Sequence, residues 1–363
     1  MATAVIEPAA VTANLKLIRR LLQPETEVLA VVKADAYGHG ATRIVPALER
    51  AGVRRFATAT AEELLEVREA GSSADLMLLT PALDRFGELF AAGAVFTLSD
   101  ADALERLVRA GVPRGTRVHL KVDTGMGRLG VRPAAAAELA AAAGKAGLEV
   151  EGVYTHFADA EADRALTGRQ LEEFLSAVEL MERHGIRVRY RHAANSAALL
   201  NHPEAHLDMV RPGLLLYGYS PLPATPQLPG RLAPALRLEA PVLARKRIRK
   251  GQGLSYGHVW HAPADTDICT VRCGYADGYR RSLGNRAHAV WNGHELPQRG
   301  RIAMDQLLVE ARGPGPVPGD LVTLFGGDAP GADELGALCG TNAYDLLTSL
   351  TRRVRRRYVG TDD

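Results

Sequence analysis

Eight short apolar stretches alternate with helix-like amphipathic stretches in the first two thirds of this 363-residue chain. The apolar stretches are rich in aliphatic and β-branched residues, which is typical of strands buried on both faces of a parallel sheet. They span residues 28–32, 55–60, 75–80, 94–99, 117–122, 150–157, 189–194 and 209–218. Eight strands that alternate with helices predict an α/β fold that begins with an N-terminal (β/α)8 barrel.

The pattern changes after the eighth stretch. The proline-rich segment Tyr219–Pro234 predicts a linker, and beyond it short strands are separated by Gly, Pro, Asn and Asp turns. Asn292 and Gly293 predict a hairpin turn, and a helix from Tyr344 to Arg353 precedes a basic, strand-like tail. We therefore expect a barrel domain at residues 8–230 and a C-terminal, mainly β domain at residues 231–363, with residues 1–7 paired to the latter.

Polar side chains follow the predicted strands at their carboxyl ends. They are Lys33, Asp123, His156, Asn195, Ser196 and Arg211. Barrels of this type place their chemistry at this face, and the loops after strands seven and eight often bind phosphate. Ser196 at a helix start and the backbone of Gly213 lie in those two loops, which predicts a phosphorylated ligand.

Lys33 lies where the first barrel strand leaves the core. An ammonium group is costly to bury unless it is paired or deprotonated, and an amine with a lowered pKa can form a Schiff base with a carbonyl compound. Tyr37 follows in the same turn, and Gly38 and Gly40 permit close backbone approach to a ligand. Taken alone, a lysine at this position is more often a solvated residue that caps a strand end.

Composition narrows the class of protein further. A net charge of +2 gives no electrostatic basis for a nucleic-acid surface, and the short basic tail is interpreted as a solvated sheet edge. No apolar stretch is long enough to span a membrane and the N-terminus has no leader pattern, so we expect a cytoplasmic protein without membrane contact. Three cysteines without ligand spacing predict reduced thiols and no metal site.

The stretch VVKADAYGHG at residues 31–40 closely resembles the cofactor-lysine signature of alanine racemases. These are pyridoxal-phosphate enzymes built from a barrel and a β-domain. Four further stretches resemble elements of the same family: KVDTGMGRLG at 121–130, GLSYGHVW at 253–260, CGYADGYRR at 273–281 and GRIAMDQ at 300–306. The resemblance covers about residues 5–358 and implies pyridoxal 5'-phosphate as the cofactor.

The resemblance also implies individual roles. Lys33 would bind the cofactor and act, with Tyr256, as one of two catalytic bases on opposite faces of the substrate. The implied cofactor-binding residues are Lys33, Tyr37, Arg128, His156, Asn195, Ser196, Arg211, Gly213, Leu214 and Tyr344. Arg128, Met304, Asp305 and Tyr275 would contact the substrate or its access path, and Lys121, a possible carbamylated lysine, would position Arg128.

The implied reaction is the interconversion of L-alanine and D-alanine, which would supply D-alanine for cell-wall peptidoglycan. The implied assembly is a head-to-tail homodimer in which Tyr256 comes from the partner subunit. Two positions depart from the family pattern: His258 replaces a common arginine, and Arg355 replaces a proline in the tail. We expect Arg355 to alter only the local strand geometry.

Three alternatives stay open at this point. A serine or broad-specificity racemase would share every motif. A basic amino-acid decarboxylase shares the two-domain architecture, but that group has an acidic residue where Arg211 lies and a cysteine where Tyr256 lies. A non-enzymatic pyridoxal-phosphate carrier resembles the barrel alone, so residues 235–363 count against it.

Overall fold

The computed structural model describes residues 1–223 and 228–360. Strand β1 (Thr3–Ile6) and helix α1 (Pro8–Arg19) precede the barrel. The barrel strands are β2 (Glu27–Val31), β3 (Arg55–Thr58), β4 (Asp75–Leu78), β5 (Val95–Leu98), β6 (Arg117–Lys121), β7 (Glu149–Tyr154), β8 (Tyr190–His192) and β9 (Met209–Val210). They pair in parallel from β2 to β8, and β9 pairs with β2.

Two backbone hydrogen bonds join the last two strands of the barrel. Asp208 N donates to Arg191 O (3.2 Å), and Arg211 N donates to Ala194 O (2.9 Å). The sheet is therefore nearly closed, and the predicted (β/α)8 barrel is confirmed. The helices around it are α2 (Ala41–Arg50), α3 (Ala61–Glu69), α4 (Phe86–Ala91), α5 (Ala101–Arg109), α6 (Ala136–Lys145), α7 (Arg164–Arg183) and α8 (Ser196–Asn201).

The eighth predicted strand is much shorter than expected. Only Met209–Val210 is extended, and Leu214–Tyr217 forms a 3₁₀ turn. Pro212 lies between them, and its ring nitrogen has no hydrogen to donate to a sheet ladder. Its carbonyl oxygen still accepts from Val31 N (3.0 Å), so the segment stays attached to β2.

The C-terminal part is mainly β, as predicted. Its strands are β10 (Leu236–Ile248), β11 (Gly253–Leu254), β12 (Trp260–His261), β13 (Thr266–Val271), β14 (His288–Trp291), β15 (His294–Pro297), β16 (Leu307–Ala311), β17 (Leu321–Phe325) and β18 (Arg355–Tyr358). Strands β14 and β15 pair antiparallel on either side of Asn292 and Gly293, which confirms the predicted hairpin. Helices α9 (Ala332–Cys339) and α10 (Ala343–Thr348) precede the tail.

The chain termini meet in this second sheet. Strand β1 lies between β10 and β18, antiparallel to the first and parallel to the second. Arg355 N donates to Ala2 O (3.1 Å), a bond that a proline at this position would lack. The arginine thus adds one hydrogen bond to the pairing of the two chain ends.

The last predicted helix differs in extent from the observed one. The helix expected over Tyr344–Arg353 ends at Thr348, because the Ser349 hydroxyl bonds to Leu346 O (2.8 Å) and competes with the helical backbone pattern. The predicted linker Tyr219–Pro234 includes residues 224–227, which lie outside the described residues; its described residues form no helix or strand. No helix within 1–223 and 228–360 is long and apolar enough to cross a membrane.

Candidate active site

A pocket of about 520 Å³ opens at the carboxyl ends of the barrel strands. Ten of the residues singled out from the sequence line it: Lys33, Tyr37, Lys121, Arg128, His156, Asn195, Ser196, Arg211, Gly213 and Tyr344. Leu214 is buried next to Gly213 and is not among the lining residues. The barrel thus gathers side chains that are far apart in sequence, together with Tyr344 from α10.

Lys33 is half-buried at the start of an unusual turn. Ala34, Asp35, Ala36 and Tyr37 have φ angles between +52° and +54°, so the backbone makes one left-handed turn. This conformation is unfavourable for residues with a Cβ atom. The sequence predicted a glycine-punctuated turn here but not its handedness.

Contacts from two directions hold this turn. Ala34 N donates to Glu63 Oε1 (2.7 Å) on one side, and Arg356 Nε donates to Gly38 O (3.4 Å) on the other. A Cβ at Gly38 would lie 2.5 Å from Leu347 O, and one at Gly40 would lie 1.8 Å from Tyr358 Oη. Both glycines are therefore required by close approach of the C-terminal segment.

The environment of the Lys33 amine favours its neutral form. Burial lowers the pKa of Lys33, Arg128 lowers it further, and Glu63 acts in the opposite direction. Glu63 was not predicted as a site residue, although Thr60 and Glu63 form a capping box that is visible in the sequence. Its second oxygen accepts from Ala59 N (2.8 Å), so one carboxylate links the turn after β2 to the end of β3.

Hydroxyl and backbone donors converge beside the loop after β9. Gly213 N donates to Ser196 Oγ (3.0 Å), and a Cβ at Gly213 would lie 2.5 Å from Tyr37 Oη. The Tyr37 ring packs against Tyr344, with a centroid distance of 5.8 Å. Burial raises the pKa of Tyr344 to about 12 and also raises that of Tyr37, so both phenols stay protonated and can donate hydrogen bonds to an anionic ligand.

Arg211 lies at the base of the pocket with most of its donors in use. Its Nη2 donates to Thr155 O (2.7 Å) and Ala193 O (2.9 Å), and its Nη1 donates to His192 Nδ1 (2.9 Å). Burial lowers its pKa to about 10, so the guanidinium remains a cation at neutral pH. Burial and the nearby charge of Arg211 lower the pKa of His156 to about 3, so this imidazole is neutral.

Lys121 lies in the same pocket and is nearly inaccessible to solvent. Burial lowers its pKa to about 8, and Arg128 and Arg211 act in the same direction. Asp123, the nearest carboxylate in sequence, uses Oδ1 to accept from Gly125 N (3.0 Å) and Met126 N (2.9 Å). It therefore fixes the loop that carries Arg128.

The remaining predicted residues lie on the C-terminal domain and do not line the barrel pocket of their own chain. Tyr256, Tyr275 and Met304 are 68%, 42% and 52% exposed. Tyr275 N donates to Ala303 O (3.1 Å), which joins the loops that carry Tyr275 and Met304. Asp305 pairs with Arg353 at the same surface.

Tyr256 lies in the 3₁₀ turn Tyr256–His258 between β11 and β12. His258, the departure from the family pattern, has a φ of +44° and packs over Gly253, where a Cβ would lie 2.5 Å from His258 Cγ.

The described residues contain no group of three His, Cys, Asp or Glu side chains arranged to hold a metal ion.

Comparison with known proteins gives a consistent assignment. The family models for the alanine racemase N-terminal domain and C-terminal domain match residues 6–221 and 235–358. The alanine racemase of Chlorobaculum tepidum is 41% identical over 355 residues, which cover 95% of this chain and 92% of that protein. That of Desulforamulus reducens is 38% identical, with 97% of both chains covered.

Solved structures agree with the sequence relatives. The alanine racemase from D-cycloserine-producing Streptomyces lavendulae superposes with a TM-score of 0.93 at 36% identity and covers 99% of this chain and 97% of its own. The alanine racemase from Bacillus anthracis, solved with bound L-Ala-P, gives a TM-score of 0.92 at 31% identity, with 100% and 96% covered. This chain therefore belongs to the alanine racemase family.

Proposed function

We propose that this protein interconverts L-alanine and D-alanine with pyridoxal 5'-phosphate, the cofactor of alanine racemases. The observation that carries the proposal is the pocket itself. It joins the half-buried amine of Lys33, the buried cation Arg211 and a cluster of hydroxyl and backbone donors around Gly213. A basic amino-acid decarboxylase and a non-enzymatic carrier are not favoured by the comparisons, because both racemase domains match.

The residues present fit this cofactor. The phosphate would be held by Tyr37, Ser196, Gly213, Leu214 and Tyr344, since the missing Cβ of Gly213 lets the Tyr37 hydroxyl approach its backbone. Arg211 would face the pyridine nitrogen, Arg128 the phenolic oxygen, and His156 and Asn195 would surround the ring. When bound, pyridoxal phosphate withdraws electrons from the substrate Cα and so makes its proton acidic.

The chain's own residues would move that proton. Inversion requires a base on one face of the Cα and an acid on the other. We assign Lys33 to the face from which D-alanine loses its proton and Tyr256 to the face from which L-alanine does. Arg128 and Met304 would bind the substrate carboxylate beside Asp305, and Tyr275 would line the access path.

We also propose a homodimer with shared sites. Tyr256, Tyr275 and Met304 are exposed in their own chain, and the loops that carry Tyr275 and Met304 are joined through Ala303 O. A second subunit that placed these residues over its neighbour's pocket would cover the three exposed side chains and complete the two-base arrangement. We also propose that the protein is cytoplasmic and that it supplies D-alanine for peptidoglycan. We propose that the barrel domain ends at residue 230 and that the C-terminal domain begins at residue 231.

The racemase proposal is tested with a panel of amino acids. Steady-state racemisation of both enantiomers of alanine, serine and lysine is measured, together with carbon dioxide release from lysine and arginine. We expect the highest kcat/KM for alanine in both directions and no decarboxylation. Equal or faster racemisation of serine would replace the assignment with a broader racemase, and carbon dioxide release would contradict it altogether.

The shared site is tested by complementation. Lys33→Ala and Tyr256→Phe are each expected to be inactive as homodimers, whereas mixing them should restore activity through hybrid dimers that contain one intact site. Native mass measurement of the hybrid dimers is the control for subunit exchange, and a mixture of wild type with the Lys33→Ala/Tyr256→Phe double variant should lose activity as hybrids form. A mixture of the two variants that stays inactive after exchange is demonstrated would mean that each site is built from one chain.

A further inference from the structure

A chain of buried hydrogen bonds runs from Arg211 through the interior of the barrel. Arg211 Nη1 contacts His192 Nδ1 at 2.9 Å, and His192 Nε2 contacts His119 Nδ1 at 2.8 Å. His119 Nε2 then contacts Glu151 Oε2 at 3.3 Å. All four side chains are 5% exposed or less, so no solvent separates the pocket from the carboxylate at the far end.

The direction of every bond in this chain is fixed by its two ends. A guanidinium has no acceptor, so His192 Nδ1 must accept and the ring proton must lie on Nε2. His192 therefore donates to His119 Nδ1, and His119 must carry its own proton on Nε2 and donate to Glu151. Burial lowers the pKa of both imidazoles, which favours the neutral form that this arrangement requires.

The far end is held as a carboxylate. Burial alone would raise the pKa of Glu151, but the hydrogen bond from His119 and the charges of Arg55 and Arg117 lower it to about 2. Arg117 Nη1 lies 3.5 Å from Glu151 Oε1, and Arg55 Nη1 lies 3.8 Å from Oε2. A carboxylate that stays ionised across the physiological pH range has no proton to donate. Glu151 can therefore only accept, and it cannot reverse the direction of the hydrogen bonds.

Gly152 makes room for the middle of the chain. It pairs with His119 in the β6–β7 ladder, and a Cβ at Gly152 would lie 2.6 Å from His119 Nδ1. The imidazole thus occupies the space of the missing side chain. This close fit fixes the ring plane of His119 against β7.

We propose that His119 and Glu151 are positioning residues for Arg211: through His192 they hold its Nη1 in one orientation at the base of the pocket. This inference rests on the proposed function, in which Arg211 faces the pyridine nitrogen. Neither His119 nor Glu151 lines the pocket, so both act only through His192. A reversed tautomer of His192 would direct an N–H at the guanidinium and remove this hydrogen bond.

The test compares Glu151→Gln with Asp75→Asn in the holoenzyme. Glutamine keeps the shape of Glu151 but must present its NH₂ either to His119 or to the arginines. Asp75→Asn is the matched control, because Asp75 pairs with the same Arg55 and Arg117 and is not a member of the chain. Gly152→Ala is a second variant that displaces the His119 ring without removing any charge.

Two measurements are made on each variant. Nitrogen-15 spectra of histidine-labelled protein report which ring nitrogen carries the proton, and a coupling across the N–H···N bond identifies the His119–His192 pair. We expect both rings protonated on Nε2 in the wild type and in Asp75→Asn, and mixed tautomers or a lost coupling in the other two variants. With these changes kcat should fall on the order of 10-fold or more, with a smaller change in KM, whereas Asp75→Asn keeps the wild-type kcat.

Specific results would overturn the inference. Wild-type rings protonated on Nδ1 would contradict the deduced chain, and an altered tautomer with unchanged kcat would show that Arg211 is positioned without it. Failure of the proposed function can be told apart from failure of this inference. A wild-type protein that does not racemise alanine would still give ring-nitrogen spectra that report the tautomers. The nitrogen signals thus test the hydrogen-bond chain, and the rates test its consequence.

Discussion

The left-handed turn after Lys33 makes a specific and unusual stability prediction. Ala34 has φ +53° and ψ +49°, and its side chain is exposed, so replacing it with glycine removes almost no packing. A left-handed conformation costs a residue with a Cβ about 1–2 kcal/mol. Glycine also gains freedom in the unfolded chain, which offsets about 0.4–1 kcal/mol. Ala34→Gly should therefore stabilise the protein by about 0.8 kcal/mol, the difference between the midpoints of these two ranges.

The same substitution should have the opposite effect in a right-handed helix. Ala141 is an exposed interior residue of α6, and glycine there should destabilise the protein by about 1 kcal/mol. Equilibrium unfolding in guanidinium chloride, followed by fluorescence, measures both variants against the wild type. With equal slopes, the midpoint should rise for Ala34→Gly and fall for Ala141→Gly.

A fall in the midpoint for both variants would refute the reasoning. It would mean that the turn relaxes at no cost in the native protein, or that the Ala34 side chain contributes contacts that outweigh the backbone term. The comparison also bears on function, because strain held in place by surrounding structure is a recurrent feature of functional sites. Here Glu63 and Arg356 supply the contacts that hold it.

Three further predictions concern the chemistry of the site. Borohydride reduction of the yellow holoenzyme should fix the cofactor on Lys33, and peptide mapping that finds it on another lysine would end that assignment. Tyr256→Phe should still exchange the α-proton of D-alanine with deuterated solvent, while exchange into L-alanine and net racemisation fall at least about 10²-fold; equal loss of both exchanges would make Tyr256 structural. Lys121 should carry a carbamate, since an anion there converts its repulsion with Arg128 into a charge-assisted hydrogen bond. Native mass measurement under carbon dioxide that finds a bare Lys121 amine would contradict this.

Local sequence patterns were sufficient to predict most of the barrel. Runs of buried aliphatic residues marked the first seven barrel strands to within a few residues, because strands covered on both faces need continuous apolar side chains. The eighth strand was too long in the prediction because the apolar run continues past Pro212, and apolar runs do not distinguish a strand from a buried 3₁₀ turn. The handedness of the Lys33 turn was not predictable locally, since the contacts that hold it come from Glu63 and from Arg356 near the other end of the chain.

The pocket residues were predictable for a different reason. Polar residues at strand ends face the same rim in any such barrel, so position alone brought Lys33, His156 and Arg211 together. The interior chain behind Arg211 was missed, although one signal was present. His119 is a polar residue inside the apolar strand Arg117–Lys121, and a buried polar side chain requires partners that the sequence does not name.

The C-terminal domain contributes to its own barrel and, in the proposed dimer, to its neighbour's. Tyr344 packs against Tyr37, and Arg356 contacts the turn after Lys33, both within one chain. Tyr256, by contrast, does not line that chain's pocket. Binding of the cofactor and catalysis should therefore separate when the subunits dissociate. Monomers obtained by dilution or by interface substitution should keep the cofactor and its visible absorbance but lose racemisation, in parallel with the loss of dimer in sedimentation. Loss of cofactor in step with dissociation would mean that the partner subunit also holds the Lys33 turn, which the contacts within one chain give no reason to expect.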